Sequence, residues 1–375
     1  MNEIQKLQEA LFPQLQQAEK LRKKHVFFKK LFSILVLLMI LGFLFSPMII
    51  YLNNAGFSKW IGNTMKGKST SPILLIMVLY WLPFFIILIA SNSYKNKYKA
   101  VEKELLKSVL GKIAPEFRFN PRKQISSKQI EESKLLPTYF QVGKNKTHQK
   151  AYNLDLGTLT GKVGETSITL GNVNINNQGI YNSFLMYIPL FPFLFTVYNY
   201  VMPYFSKHHS TENLGSNYVG MFAVADFNKK LNGHTVILPD IIEKRMGYLA
   251  KNFQALNFTR GQLVNLDNPE FENDFVVYST DQVEARYILS TSLMERITNL
   301  KRRIDKPMML SFNKNKLYMG IQQPHGFLSL SKSKSLIKPD VFEILYEDIS
   351  VALGIVDDLN LNRRIWNKEA TFESD

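Results

Sequence analysis

The sequence predicts an N-terminal two-helix transmembrane hairpin followed by an α+β cytoplasmic domain with a mixed or antiparallel sheet. Three observations predict it. Residues 31–52 and 73–91 are apolar runs without a charged side chain. At about 1.5 Å per residue, each is long enough as a helix to cross a hydrocarbon core of about 30 Å. Positive charge collects around those runs: residues 1–112 hold 16 Lys/Arg against 5 Asp/Glu, and residues 113–375 hold 30 against 26. Beyond residue 113, stretches of period-two and helical hydrophobicity alternate, as in an α+β domain.

The charge placement argues against nucleic acid as a partner, because a nucleic-acid-binding domain carries its own cationic excess. Cysteine is absent, which excludes disulfides and thiolate chemistry. No cofactor is expected.

Residues 1–30 read as a cytoplasmic amphipathic helix. Ile4, Leu7, Leu11, Leu15 and Ala18 recur at helical spacing, and Pro13 interrupts them. Residues 31–91 form the hairpin. Its loop, residues 53–72, holds three lysines, against seven Lys/Arg before the first run and five soon after the second. That bias places the loop outside and both termini in the cytoplasm. Residues 92–112 continue as a stalk helix with Tyr94, Tyr98, Val101, Leu105 and Val109 on one stripe.

Residues 113–366 form the α+β domain, and 367–375 a tail. A short helix is expected at 126–135. Residues 157–163 superficially resemble a phosphate-binding loop but fail its spacing, and a hairpin turn explains them. Residues 167–175 alternate like a strand, with a bulge near Gly171. Residues 166–206 contain no charge, and 9 of the 22 residues at 184–205 are aromatic. Three readings stand for that insert: a third span, a membrane-facing hairpin, or a buried or oligomeric contact. The hairpin is preferred, because strand-like flanks belong to one domain and three prolines spoil a straight helix. Phe184, Phe191, Phe193, Phe195 and Tyr198 are then candidate membrane contacts. His208, His209 and Glu212 do not make a ligand set, so no metal is assigned.

Strands follow at 218–225, 234–238, 262–266 and 275–278, with a helix at 239–257. Another helix begins near Asp281. Ser292-x-x-Glu295 has the form of a capping box for the helix ending in Lys301-Arg302-Arg303, cations suited to a helix C-terminus. Residues 308–312 and 316–321 form a hairpin, 326–330 a third meander strand, and 342–359 a final helix.

The block Phe271-Glu-Asn-Asp-Phe-Val-Val-Tyr-Ser-Thr-Asp281-Gln-Val-Glu284-Ala-Arg286-Tyr287-Ile-Leu289, continued by Leu293-Met-Glu-Arg-Ile297, resembles a bacterial family of two-span membrane proteins, domain-of-unknown-function family 3137. Gly220–Lys229 and the closing Leu359–Trp366 fit the same pattern, which spans about residues 115–368 and leaves 184–205 unexplained. The resemblance implies a possible LemA-like envelope partner and no reaction.

Within the block, Asp281 and Glu284 fall in a first helical turn, where negative charge is favoured. Arg286, a cation among apolar neighbours, needs a carboxylate or a ligand. These three are the candidate ligand or ion-pair residues, and no catalytic residue is assigned. The expected function is that of a non-enzymatic inner-membrane protein with a cytoplasmic interaction or scaffold domain. Its partners are the lipid bilayer and another membrane protein or a second copy. The alternatives are a membrane-surface lipid binder or enzyme, and an accessory subunit of a transport assembly.

Overall fold

A computed structural model describes residues 3–52, 71–136, 139–142, 147–150, 152–176, 216–227, 229, 231–239, 261–323, 326–330, 335–359 and 361. The calls on 53–70, on the insert 184–205 with Phe184, Phe191, Phe193, Phe195 and Tyr198, on His208, His209 and Glu212, on 240–257 and on the tail lie outside these residues.

Three helices open the chain: α1 (Glu3–Ala10), α2 (Phe12–Leu52) and α3 (Ser71–Ile113). The break between α1 and α2 falls at Leu11, two residues before Pro13, which sits where its missing N–H costs nothing. α3 continues through Pro83. α2 and α3 run antiparallel. The Phe28 ring stacks on Tyr94 at 5.0 Å and His25 on Tyr98 at 6.4 Å, so rising numbers on one helix meet falling numbers on the other.

Among the described residues, no helix is long and apolar enough to cross a membrane. This overturns the transmembrane hairpin at 31–91, and with it the multi-pass inner-membrane location. The physical reason lies in what the apolar runs join. Each is one part of a longer helix whose other part is charged and packed on the domain. α2 carries Lys20, Arg22, Lys23, Lys24, Lys29 and Lys30 ahead of its run, and α3 carries Lys95, Lys97, Lys99 and Lys103 after its own. Leu11, Leu15, Ala18, Tyr98, Leu105 and Val109 are buried in the same core as the sheet, and Phe32, inside the first run, is buried as well.

Among the described residues the sheet has nine strands: β1 (Arg118–Asn120), β4 (Tyr152–Val163), β5 (Thr166–Asn176), β6 (Ser216–Asp226), β7 (His234–Pro239), β8 (Gln262–Val264), β9 (Phe275–Ser279), β10 (Met308–Asn313) and β11 (Lys316–Gln322). Their spatial order is β1-β4-β5-β6-β11-β10-β7-β9-β8, and each neighbouring pair is antiparallel. β2 (Tyr139–Val142) and β3 (Thr147–Lys150) form a separate ribbon. The two strands flanking the uncharged insert, β5 and β6, lie side by side.

Period-two alternation divides the core. On β6, Met221, Ala223 and Ala225 face the helices, while Phe222 and Val224 face the other way; on β11, Leu317, Met319 and Ile321 oppose Tyr318. Both faces of these central strands are covered, so they read as continuous apolar runs. The helical face is covered by α1–α3 and by α5 (Pro269–Asp274), α6 (Gln282–Ile288), α7 (Thr291–Ile304) and α8 (Pro339–Asp358). The opposite face is covered by α4 (Ser127–Ser133) and residues through Leu136. Gly220 is required where β6 meets β11, because a Cβ there would stand 2.0 Å from the Ile321 carbonyl oxygen.

Four local expectations change. Residues 157–163 belong to β4, and the turn is Gly164–Glu165. The bulge is on β4 rather than on β5: residues 155–157 are accommodated between Leu154↔Val173 and Thr158↔Gly171, with Gly157 at φ 124°. The N-cap of α7 is Ser290, two residues before the expected box, and it makes no side-chain cap hydrogen bond. Residues 326–330 form no strand, because β6 already pairs with the edge of β11 that they would need.

Candidate functional site

The family-like block folds into a corner between β9 and α6. Asp281 is the N-cap of α6, and its Oδ1 accepts hydrogen bonds from the Val283 and Glu284 N–H groups, both at 2.9 Å. The Ser279 hydroxyl donates to the Asp281 carbonyl at 2.8 Å and lies 3.0 Å from Thr235 Oγ1. Glu284 reaches across to the turn before β7. Its Oε1 accepts from Asn232 N–H at 2.9 Å and its Oε2 from Gly233 N–H at 2.8 Å. Thr280 Oγ1 accepts from His234 N–H at 3.0 Å. Asp281 and Glu284 are therefore both occupied with backbone donors, one shaping a helix start and the other a strand start.

Arg286 is placed differently. It is exposed, and it donates to the Asn265 carbonyl at 3.5 Å. Among the described residues, no carboxylate lies within ion-pair distance of it. One turn of helix joins Val283 to Tyr287, and these two are 78% and 54% exposed. The Lys229 Nζ lies 4.2 Å from the centre of the Tyr287 ring and 5.9 Å from that of Phe227. Burial pulls the Lys229 amine below the ordinary lysine range.

A second cluster joins the long helices to the sheet domain. Glu19 is buried, with Arg22 donating to it through Nε and Nη2, both at 2.7 Å. The same carboxylate accepts the Leu336 N–H at 3.0 Å. Glu102, on α3, accepts the Leu330 N–H at 2.7 Å. The two helices thus grip the chain at either end of 330–336 (Leu330 from α3, Leu336 from α2). Gln8 adds a bond to the Ile337 carbonyl at 3.2 Å. Burial alone would raise the Glu19 carboxyl, but the hydrogen bonds from Arg22 and Leu336 hold it below the usual carboxylate range. The bond to Glu19 in turn holds the Arg22 guanidinium up.

Glu19 and Glu102 were missed in the sequence, although a signal exists. The buried stripe Leu11–Leu15–Ala18 continues at helical spacing into Arg22 and His25, and Tyr98–Leu105–Val109 encloses Glu102. Polar groups on a core-facing stripe need partners from elsewhere in the chain. The basic end of α7 is also engaged: Lys301 pairs with Asp274 at 3.0 Å, Arg302 with Glu270 and Arg303 with Asp358.

No curated protein matches the chain. A similar solved structure is the crystal structure of the mycobacterial trehalose monomycolate transport factor A, TtfA. It is 8% identical, has a TM-score of 0.30, and the alignment covers 71% of this chain and 96% of that one. A likeness of that size carries neither fold nor role across. The two-span layout and the LemA-like partner implied by the resemblance receive no support from these comparisons. Residues 216–361, from β6 to just beyond the end of α8, match the family described as "Protein of unknown function (DUF3137)".

Proposed function

We propose that the chain is a non-enzymatic interaction or scaffold protein, in which the sheet domain holds the α2–α3 pair as a partner-binding arm. The observation that supports this reading is exposed apolar surface on that arm. Ile34, Leu37 and Leu38 on α2 and Leu82, Phe85, Ile86 and Ile89 on α3 are all exposed, Ile89 by 67%. The antiparallel pairing brings these two sets to similar heights along the pair. Apolar surface of this extent marks an interaction site. Lys29, Lys30, Lys95 and Lys97 follow on the side nearer the domain. The fitting partner presents an apolar face bordered by acidic groups.

Crosslinking of the full-length chain, followed by purification and mass spectrometry, tests this. Crosslinks from 34–38 and 82–89 to one protein, with acidic residues opposite the four lysines, support the reading. Turnover of a metabolite by the purified chain overturns its non-enzymatic part. Binding to vesicles of anionic lipid without any protein partner replaces it with a lipid-surface reading.

A further inference from the structure

A second site lies where the long helices leave the domain. On α2, Phe28 stands one turn after Lys24; on α3, Tyr94 stands one turn before Lys97. The stacking of Phe28 on Tyr94 at 5.0 Å therefore brings a lysine from each helix to one ring. The Lys24 and Lys97 Nζ atoms each lie 5.5 Å from the centre of the Tyr94 ring. Both lysines are exposed. Ser93, exposed one turn before Lys97 on the same helix face, adds a hydroxyl donor, and the exposed Asn96 adds an amide. Two ammonium groups held at one ring repel each other, and the chain around them does little to offset that. From Lys20 to Val101 the sequence has no Asp or Glu. Counted as full charges, residues 19–30 and 94–104 hold ten Lys/Arg against three carboxylates, Glu19, Glu102 and Glu104. Glu19 and Glu102 are buried and accept the Leu336 and Leu330 N–H groups. Glu104 lies about two helical turns beyond Lys97. Glu19 pairs with Arg22 at 2.7 Å and Lys23 at 4.0 Å, and among the described residues no carboxylate pairs with Lys24 or Lys97.

The type of cation selects the anion. Residues 20–101 hold eleven lysines and a single arginine, Arg22, which is buried against Glu19. An exposed guanidinium recognises a carboxylate through two parallel hydrogen bonds, and this site has none to offer. Lysines act as point charges suited to phosphate, which brings about −1.5 to −2 charges to one group and accepts hydrogen bonds at three oxygens. We propose that the Lys24–Lys97 pair over Tyr94 binds a phosphate ester, with Ser93 and Asn96 donating hydrogen bonds to its oxygens. The ester belongs either to a soluble phosphorylated compound or to a phospholipid headgroup, and the same two lysines recognise both.

The test uses the full chain at fixed ionic strength. By isothermal titration calorimetry, the soluble probe is pyrophosphate, and citrate, a carboxylate anion of similar charge at neutral pH, is the reference. Pyrophosphate is expected to bind at least about tenfold tighter than citrate, a difference of one decade in Kd. Co-sedimentation with phosphatidylcholine vesicles containing about one-third phosphatidylglycerol, against phosphatidylcholine alone, probes the headgroup source. The double variant Lys24→Gln, Lys97→Gln is expected to weaken whichever probe binds by about tenfold or more. Lys123→Gln with Lys128→Gln, the same charge change at exposed lysines elsewhere on the domain, is expected to leave binding within about twofold. Binding of pyrophosphate supports the soluble source, and binding of the phosphatidylglycerol vesicles supports the headgroup source. Citrate binding as tightly as pyrophosphate, equal weakening by the control pair, or binding of neither probe would overturn the proposal. Unchanged melting shows that loss of binding is not loss of fold. If the double variant melts early, Lys97→Gln alone takes its place, with an expected weakening of about threefold. The site shares Lys97 with the border of the helix arm but none of the arm's apolar band, so crosslinks at 34–38 and 82–89 stand or fall independently of phosphate binding.

Discussion

The helix–domain junction and the β9–α6 corner use the same device in opposite surroundings. In both, glutamates accept backbone N–H groups distant in sequence: Glu19 and Glu102 hold Leu336 and Leu330, and Glu284 holds Asn232 and Gly233. At the junction the carboxylates are buried, and Arg22 supplies the matching charge. At the corner the carboxylate is half-buried, its neighbours Val283, Arg286 and Tyr287 are exposed, and no cation pairs with Glu284 among the described residues. The difference separates structure from surface. A buried carboxylate commits its whole neighbourhood to the fold, whereas the corner commits only its acids and leaves its cation and apolar groups outward.

The largest expected effect comes from breaking the junction. Glu19→Ala leaves Arg22 as a buried cation without its counter-ion and orphans the Leu336 N–H, a loss of about 3–5 kcal/mol. Denaturant unfolding of the full chain measures it, and a loss below about 1 kcal/mol would remove the contrast between the two regions.

Next is the hinge of the corner. Gly261 has φ +96°, and a Cβ there would stand 2.1 Å from the Ser279 carbonyl oxygen. Gly261→Ala should cost about 2–3 kcal/mol through strain at a left-handed position and a backbone clash. Hydrogen exchange should show β8 losing protection while β6, β10 and β11 keep theirs. Uniform loss across the sheet would mean that the corner is as central as the junction.

Acid distinguishes the two regions more gently. Because the folded Glu19 carboxyl is held below its ordinary range, its contribution is complete above the ordinary carboxylate pKa. That contribution is lost as the pH falls through the lowered folded value. Glu19→Gln should flatten this acid limb of stability against pH, and an unchanged limb would assign it to other carboxylates.

The smallest effect belongs to the corner's surface. Val283 is 78% exposed, so Val283→Ser should change stability by no more than about 0.5 kcal/mol. A larger loss by thermal melting would show that this side chain serves the fold after all.

Local features were legible in the chain where the signal is local. The short helix expected at 126–135 is α4, Asp281 starts α6, and the Asn315-containing turn joins β10 to β11, all within a few residues. The junction was not legible, because Glu19 meets Leu336 and Glu102 meets Leu330 across most of the sequence. Arg286 shows the limit of neighbour-based reasoning. Its apolar sequence neighbours suggest burial, but α6 is a short helix at an edge, and Val283 and Tyr287 face outward with it. At 31–52 and 73–91 the helical continuation on either side was legible, 92–112 as a stalk with an apolar stripe, whereas the anchoring of both helices to the domain through Glu19 and Glu102 was not.

The pairing of β5 with β6 has a consequence for how this chain has room to vary. Asn176 and Ser216 are register partners, so residues 177–215 depart from and return to one end of two adjacent strands. In topological terms that whole stretch is the connection of a single β-hairpin. No other strand of the sheet depends on its length, and lengthening a hairpin connection costs only about 0.6 kcal/mol per doubling in closure entropy. The pairing of β5 with β6 therefore sets where that connection begins and ends without setting how long it has to be.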